Sequence, residues 1–149
     1  MNNSSSYEQE LQQRGVLIYT TKGRSMRPFL RSGADLFQVV RKTGDRCRKY
    51  DAVLYRRDNV QYVLNRVVKV CHDSYTLCGD NTWQMESGIR EDQILGILTA
   101  VIRSGRKIDV SRPGYCIAVG LWWAIYPLRA VFLRLRGKWW TICEKRKNK

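Results

Sequence analysis

Ser25 sits in the run Gly23-Arg24-Ser25-Met26-Arg27-Pro28-Phe29-Leu30, directly after a Lys22-Gly23-Arg24 turn. A serine after a turn is, by itself, more often a backbone cap than a nucleophile. To attack a carbonyl it needs a base that takes its proton and donors for the oxyanion that forms. Backbone amides, that of Ser25 and a neighbour, can supply the donors. Gly23, two residues earlier, adds no hydroxyl. The base is the harder requirement.

Few residues of the right kind are available. His72 is the only histidine, and Cys47, Cys71, Cys78, Cys116 and Cys143 form no C-x-x-C pair. That combination gives a metal site little support, and no cofactor is expected. Asp80 lies in Gly79-Asp80-Asn81, where an aspartate can bond its own turn backbone or act on a neighbouring side chain.

The Ser25 run resembles the G-x-S-M-x-P-x-L box of type I signal peptidases and LexA-like self-cleaving proteins, members of one superfamily of serine peptidases. Three later segments agree with that resemblance in order and spacing. Lys49-Tyr50-Asp51-Ala52-Val53-Leu54-Tyr55 is similar to the family's "gDvvly" strand, Tyr62-Val63-Leu64-Asn65-Arg66-Val67-Val68-Lys69-Val70 to its base-bearing strand, and Gly79-Asp80-Asn81 to its "GDN" box. Together they span about Gly23 to Arg103. The nearest resemblance is to small bacterial signal-peptidase-like proteins that end in an aromatic, basic segment.

The resemblance implies a peptidase fold of coiled β-sheets, Ser25 as nucleophile, and a base at the position of Asn65. The family has lysine or histidine there, in the local pattern KRV or HRV; this chain has Asn65-Arg66-Val67. A carboxamide hydrogen-bonds but has no useful basicity. Asp80 matches the acid that orients the histidine in the His-type branch, and here that partner is missing. His72 is no substitute: seven residues beyond Asn65 along a strand is roughly 23 Å, and the odd spacing turns it to the other face. Lys69 shares Asn65's face but lies about 13 Å away on a straight strand. Lys42 and Lys49, in the charged connector, remain candidate bases.

The elements that would position these residues read as mainly β. A short helix is expected over Glu8 to Arg14, with Ser5 or Ser6 as its cap. Strands are expected over Val16–Thr21, Asp35–Val40, Asp51–Arg56, Val60–Val70, Tyr75–Cys78, Ile94–Arg103 and Lys107–Val110, separated by glycine and asparagine turns. A further short helix could begin near Ser25, because proline is tolerated in a first turn. Seven strands at this spacing suggest a small antiparallel barrel or paired, coiled sheets. The chain divides into a polar segment with a short helix (residues 1–14), a β domain (15–112), and an aromatic, basic helix and tail (113–149).

That last segment has its own character. No residue from Tyr115 to Leu128 is charged, a stretch of 14, against the ~20 that a spanning helix needs. Passing over Arg129 extends it to Leu133. Trp122, Trp123, Trp139 and Trp140, with arginines between them, suit a membrane interface. A helix packed on the β domain, an amphipathic helix lying on a membrane and a spanning helix all fit the pattern. From Arg129 to Lys149 eight Lys or Arg face one acid, Glu144, a net of +7 and half of the chain's +14. Such a tail either solubilises or attracts an anionic partner, a membrane surface above all. Nucleic acid is not expected, since too few residues precede Ser25 to hold a helix-turn-helix.

Three functions follow as expectations: a serine endopeptidase cutting a peptide or protein leader through a Ser25 acyl-enzyme; a catalytically impaired homologue that binds extended peptide without cutting it; and a membrane-surface adaptor. The start, Met1-Asn2-Asn3-Ser4-Ser5-Ser6, is polar with no apolar export signal, so a reducing, cytoplasmic setting is expected, at the membrane or free of it. All five cysteines should then react with an alkylating reagent in freshly purified, denatured, unreduced protein. Mass spectrometry counts the adducts, and two intact native disulfides would overturn the assignment.

Overall fold

The computed structural model describes the backbone of residues 4–59 and 61–147, and side chains within residues 7–136 except residue 60. Helix α1 (Ser4–Arg14) leads into strands β1 (Val16–Thr20), β2 (Asp35–Arg41), β3 (Ala52–Arg56), β4 (Tyr62–Val70), β5 (Tyr75–Cys78), β6 (Met85–Ile89), β7 (Ile94–Arg103) and β8 (Arg106–Asp109). Helices α2 (Pro113–Ala124) and α3 (Tyr126–Lys147) complete the chain. All pairings are antiparallel, in the order β1-β2-β7-β3-β4-β5-β6, with β8 also on β7. The fold is therefore mainly β, and the sheet is open rather than a closed barrel, with β1 and β6 at its two ends.

Coiling lets one sheet bury both of its faces. In β3 the alternation sends Ala52 and Leu54 into a core with Leu17, Met26, Phe37, Leu64 and Leu98. Val53 and Tyr55 enter a second core with Val67, Tyr75, Leu77 and Ile94. A run without polar alternation is what a doubly covered strand requires. Register shifts at Gln38/Val39, Leu54/Tyr55, Val67/Lys69 and Tyr75/Leu77 supply the bends. Gly96 marks the tightest of them: a Cβ there would lie 2.4 Å from Val39 Cγ1 and 2.7 Å from the Val40 carbonyl oxygen.

Several sequence expectations need correction. α1 starts at Ser4, so Ser5 and Ser6 lie within it rather than before it. Val60, the expected first residue of the fourth strand, lies outside the described residues, and β4 begins at Tyr62. β6 was not expected. Its sequence, Met85-Glu86-Ser87-Gly88-Ile89, has no β-branched run, and only Ile89 is fully buried. No helix begins at Ser25: residues 21–34 are successive turns, in which Leu30 N donates to the Met26 carbonyl at 2.9 Å. Pro28, inside that stretch, has no N–H with which to continue a helical ladder.

The single C-terminal helix is two, bent by 62° at Ile125. Pro127, at the start of α3, cannot donate back into α2. No single helix among the described residues is long and apolar enough to cross a membrane. The side chains of Trp139 and Trp140 lie outside the described residues.

Asp35, 1% exposed, fastens the Ser25 loop to the sheet. It accepts from Arg31 N at 2.9 Å and Arg103 Nη2 at 2.7 Å, while Arg103 Nη2 also reaches the Phe29 carbonyl at 3.2 Å. Burial works against the charge, but the hydrogen bonds from Arg103 and Arg31 outweigh it and hold the carboxyl far below its usual range. A depressed folded-state pKa stabilises above the unfolded value, near 4, and the gain is lost as pH falls below it. Asp35→Asn should cost about 3–5 kcal/mol at neutral pH. Denaturant unfolding across pH should show the gap to the native protein narrowing steadily below about pH 4.

Candidate functional site

A cleft of about 610 Å³ lies on the concave side of the sheet, and both Ser25 and Asn65 line it. Its walls come from β1 (Leu17, Tyr19, Thr20), the start of β4 (Tyr62 to Asn65), Glu86 of β6, and Thr82 and Gln84 beyond the Gly79-Asp80-Asn81 turn. Tyr7 of α1 closes one end, edge-on to Tyr19 and Tyr62 at ring separations of 4.9 and 5.6 Å.

Ser25 is held from beneath by the Gly79-Asp80-Asn81 turn. Asn81 N donates to the Ser25 carbonyl at 2.7 Å, and Asn81 Nδ2 to the Arg24 carbonyl at 3.3 Å. Gly79 packs so closely that a Cβ would sit 2.8 Å from the Ser25 oxygen and 3.0 Å from its Cβ. Met26 and Leu30, both buried, anchor the other side of the loop in the core. The sequence segments around Ser25, Asn65 and Asn81 thus meet at one place.

Asn65, 6% exposed, donates from Nδ2 to the Tyr55 hydroxyl at 3.1 Å. Tyr55 is fully buried, and burial first, then the neighbouring Glu86 carboxylate, push its hydroxyl well above the usual range. Burial disfavours the charged form of Glu86, but the Arg57 guanidinium hydrogen-bonds both its oxygens and holds the carboxyl below its ordinary value. Asn65 is therefore a neutral amide backed by a protonated phenol and a salt-bridged carboxylate.

Asp80 stands elsewhere. It is 0% exposed and is not among the residues that line the cleft. Arg66 donates to it through Nε and Nη2, each at 2.7 Å, and Trp123 Nε1 donates to Oδ1 at 3.0 Å. Arg66 Nη1 reaches the Tyr50 carbonyl at 2.8 Å. Burial opposes the Arg66 charge, yet the Asp80 bonds prevail and keep it protonated.

Of the lysines named as substitute bases, none lines the cleft. Lys42 pairs with Glu91, Lys49 lies over the Tyr50 ring at 5.0 Å, and Lys69 is exposed. The register shift between Val67 and Lys69 breaks the alternation that gave Lys69 the face of Asn65. His72 is exposed in the turn between β4 and β5, where its carbonyl accepts from Arg46 at 2.7 Å.

Sequence reasoning missed Lys22, which lines the cleft from its exposed rim, and the Tyr55, Arg57 and Glu86 array. Lys22 was legible in principle, being three residues before Ser25. Glu86 was not, because its strand was not recognised. Among the described residues no group of three or more His, Cys, Asp or Glu could hold a metal. No protein-family model matches the chain, and no curated protein is similar to it.

Gly79→Ala should force Ser25 and its loop away from the turn, since the new methyl would meet backbone rather than a movable side chain. Overpacking of this kind typically costs about 1–3 kcal/mol. Equilibrium unfolding measures it, and stability equal to the native protein would show that the contact is loose.

Proposed function

We propose that this chain is a serine peptidase domain of the signal-peptidase kind, whose cleft receives an extended peptide and whose hydrolysis Asn65 keeps slow. One observation carries the reading: Ser25 and Asn65, 40 residues apart, line the same cleft. The free side of β1 supports it. Among the described residues β1 pairs only with β2, and an unpaired strand edge beside a cleft can bind a peptide backbone as an added strand.

The limiting step is proton transfer. Attack by Ser25 Oγ on a peptide carbonyl forms the C–O bond and releases a proton that an acceptor must take before the amine leaves. Asn65 already spends an N–H on Tyr55, and its carbonyl accepts a hydrogen bond but no proton. Glu86 is a carboxylate of the cleft wall, and Arg57 holds it. A second reading, a fully active endopeptidase, is favoured by Lys22, whose amine could serve as the base from the rim.

Asn65→His should raise cleavage of a small-residue leader peptide by about 10²–10⁴-fold, the usual worth of a positioned base. The Tyr55 hydroxyl, which now holds the Asn65 amide, is placed to orient the imidazole. Asp80 is already engaged by Arg66 and Trp123. Ser25→Ala in that background should abolish the gain, with products identified by mass. Strong Ser25-dependent cleavage by the native chain, lost in Lys22→Met, would establish the second reading. Peptide binding without cleavage in either form would leave a purely binding cleft.

A further inference from the structure

The sequence interrupts its apolar C-terminal stretch with Arg129, but the fold removes that charge from the surface. Arg129 is 9% exposed, and its guanidinium lies 4.5, 4.9 and 5.3 Å from the ring centres of Trp122, Trp123 and Tyr126. Its Nη1 donates to the Trp122 carbonyl at 2.7 Å, while Nε and Nη2 are buried with no partner among the described residues. Burial lowers its pKa despite the nearby Asp80.

What remains outward is a stripe free of charge. Ile117, Leu121, Ile125, Leu128, Phe132 and Leu135 follow one another at steps of three or four, the spacing of one helix face. Their exposures are 63, 65, 49, 77, 63 and 53%. Ile117 and Leu121 lie on α2, Leu128, Phe132 and Leu135 on α3, and Ile125 at the 62° bend that joins them. The opposite face of α2 is committed to the β domain: Val119 and Trp123 are buried, and Trp122 Nε1 donates to the Asp80 carbonyl at 2.7 Å. Six large apolar side chains exposed within so short a stretch of chain mark a binding surface.

We infer that this stripe seats the chain on an anionic lipid bilayer, with α2 and the first turns of α3 lying in the interface. Three features select that partner. Arg134 and Arg136 are exposed on α3, and residues 130–149, leaving out the buried Arg129, carry a net +6, complementary to anionic head groups. The stripe is apolar throughout, as insertion among acyl chains requires. The pairing of α2 with Asp80 opposes spanning, because a crossing helix would have to surrender the tryptophan hydrogen bonds. The inference stands on the helices alone and does not rest on the reading of the cleft.

The experiment is co-sedimentation of the full chain with phosphatidylcholine vesicles, with and without phosphatidylglycerol. Binding should require the anionic lipid. Leu121→Glu and Leu128→Glu, at positions exposed enough to leave the fold intact, should each weaken it by about tenfold or more. Val70→Glu, at an exposed position of β4, should not. Thermal melts confirm that each variant is folded. Equal binding to neutral vesicles, or binding unaffected by the stripe variants, would overturn the inference. So would lipid-free self-association that Leu128→Glu abolishes, which would assign the stripe to a second copy of the chain.

Discussion

The buried ion pair between Arg66 and Asp80 is the interaction on which the rest of the arrangement depends. Neither side chain is more than 2% exposed. Two charges that far from water persist only when every remaining donor and acceptor is met. Here Tyr50, Tyr115 and Trp123 complete the set. The pair works through the alternation of β4. Asn65 points into the cleft, so Arg66, the next residue, points to the opposite side of the sheet, where it fixes Asp80. With Asp80 fixed, Gly79 and Asn81 on either side of it are pressed against Ser25. One strand thus lines the cleft with one residue and, through the next, fixes the turn beneath the Ser25 loop.

This geometry divides the carboxylates by role. Asp80, the acid that a histidine-type site would use for orientation, is saturated on the far side of β4. Glu86 lies in the cleft but belongs to Arg57 and Tyr55. Tyr55 is then, among the described residues, the partner of the Asn65 side chain, and burial keeps its proton in place. The cleft combines apolar and neutral polar side chains with Lys22 at its rim and the Arg57–Glu86 pair in its wall.

Much of this was legible in the sequence, for physical reasons that differ from element to element. β5 and β7 were read with their observed ends, because Tyr75–Cys78 and Ile94–Arg103 are β-branched and aromatic runs closed by turns. The meeting of Ser25, Asn65 and the Gly79-Asp80-Asn81 turn followed from a resemblance, since no local pattern fixes contacts across 40 or 50 residues. β6 was invisible because an edge strand needs only one buried residue, Ile89, to hold its place. The bend at Ile125 had a signal in Pro127, but an uncharged run reads as one helix until that missing N–H is considered. The orientation of Asp80 was hidden for a different reason: the sequence gives no rank to Arg66 over residue 65 as its partner until the strand's alternation is applied.

The C-terminal helices are part of the same construction and not an appendage to it. Trp122 and Trp123 satisfy both the carbonyl and the carboxylate of Asp80, Tyr126 donates to the Trp83 carbonyl at 3.0 Å, and Arg134 stacks over the Trp83 ring. Residues 80–84 are also the segment that carries Thr82 and Gln84 into the cleft wall. Any displacement of α2 would therefore leave Asp80 short of donors inside the protein and loosen the turn beneath Ser25. The burial of Arg129 fits the same logic. Placing an arginine among three aromatic rings, with two nitrogens unpartnered among the described residues, is costly on its own. The cost is reduced by the rings' quadrupoles and by the Asp80 charge nearby. In return the arginine packs the joint between α2 and α3, where Pro127 has broken the backbone ladder, and ties the outward face of both helices to the state of the Asp80 turn.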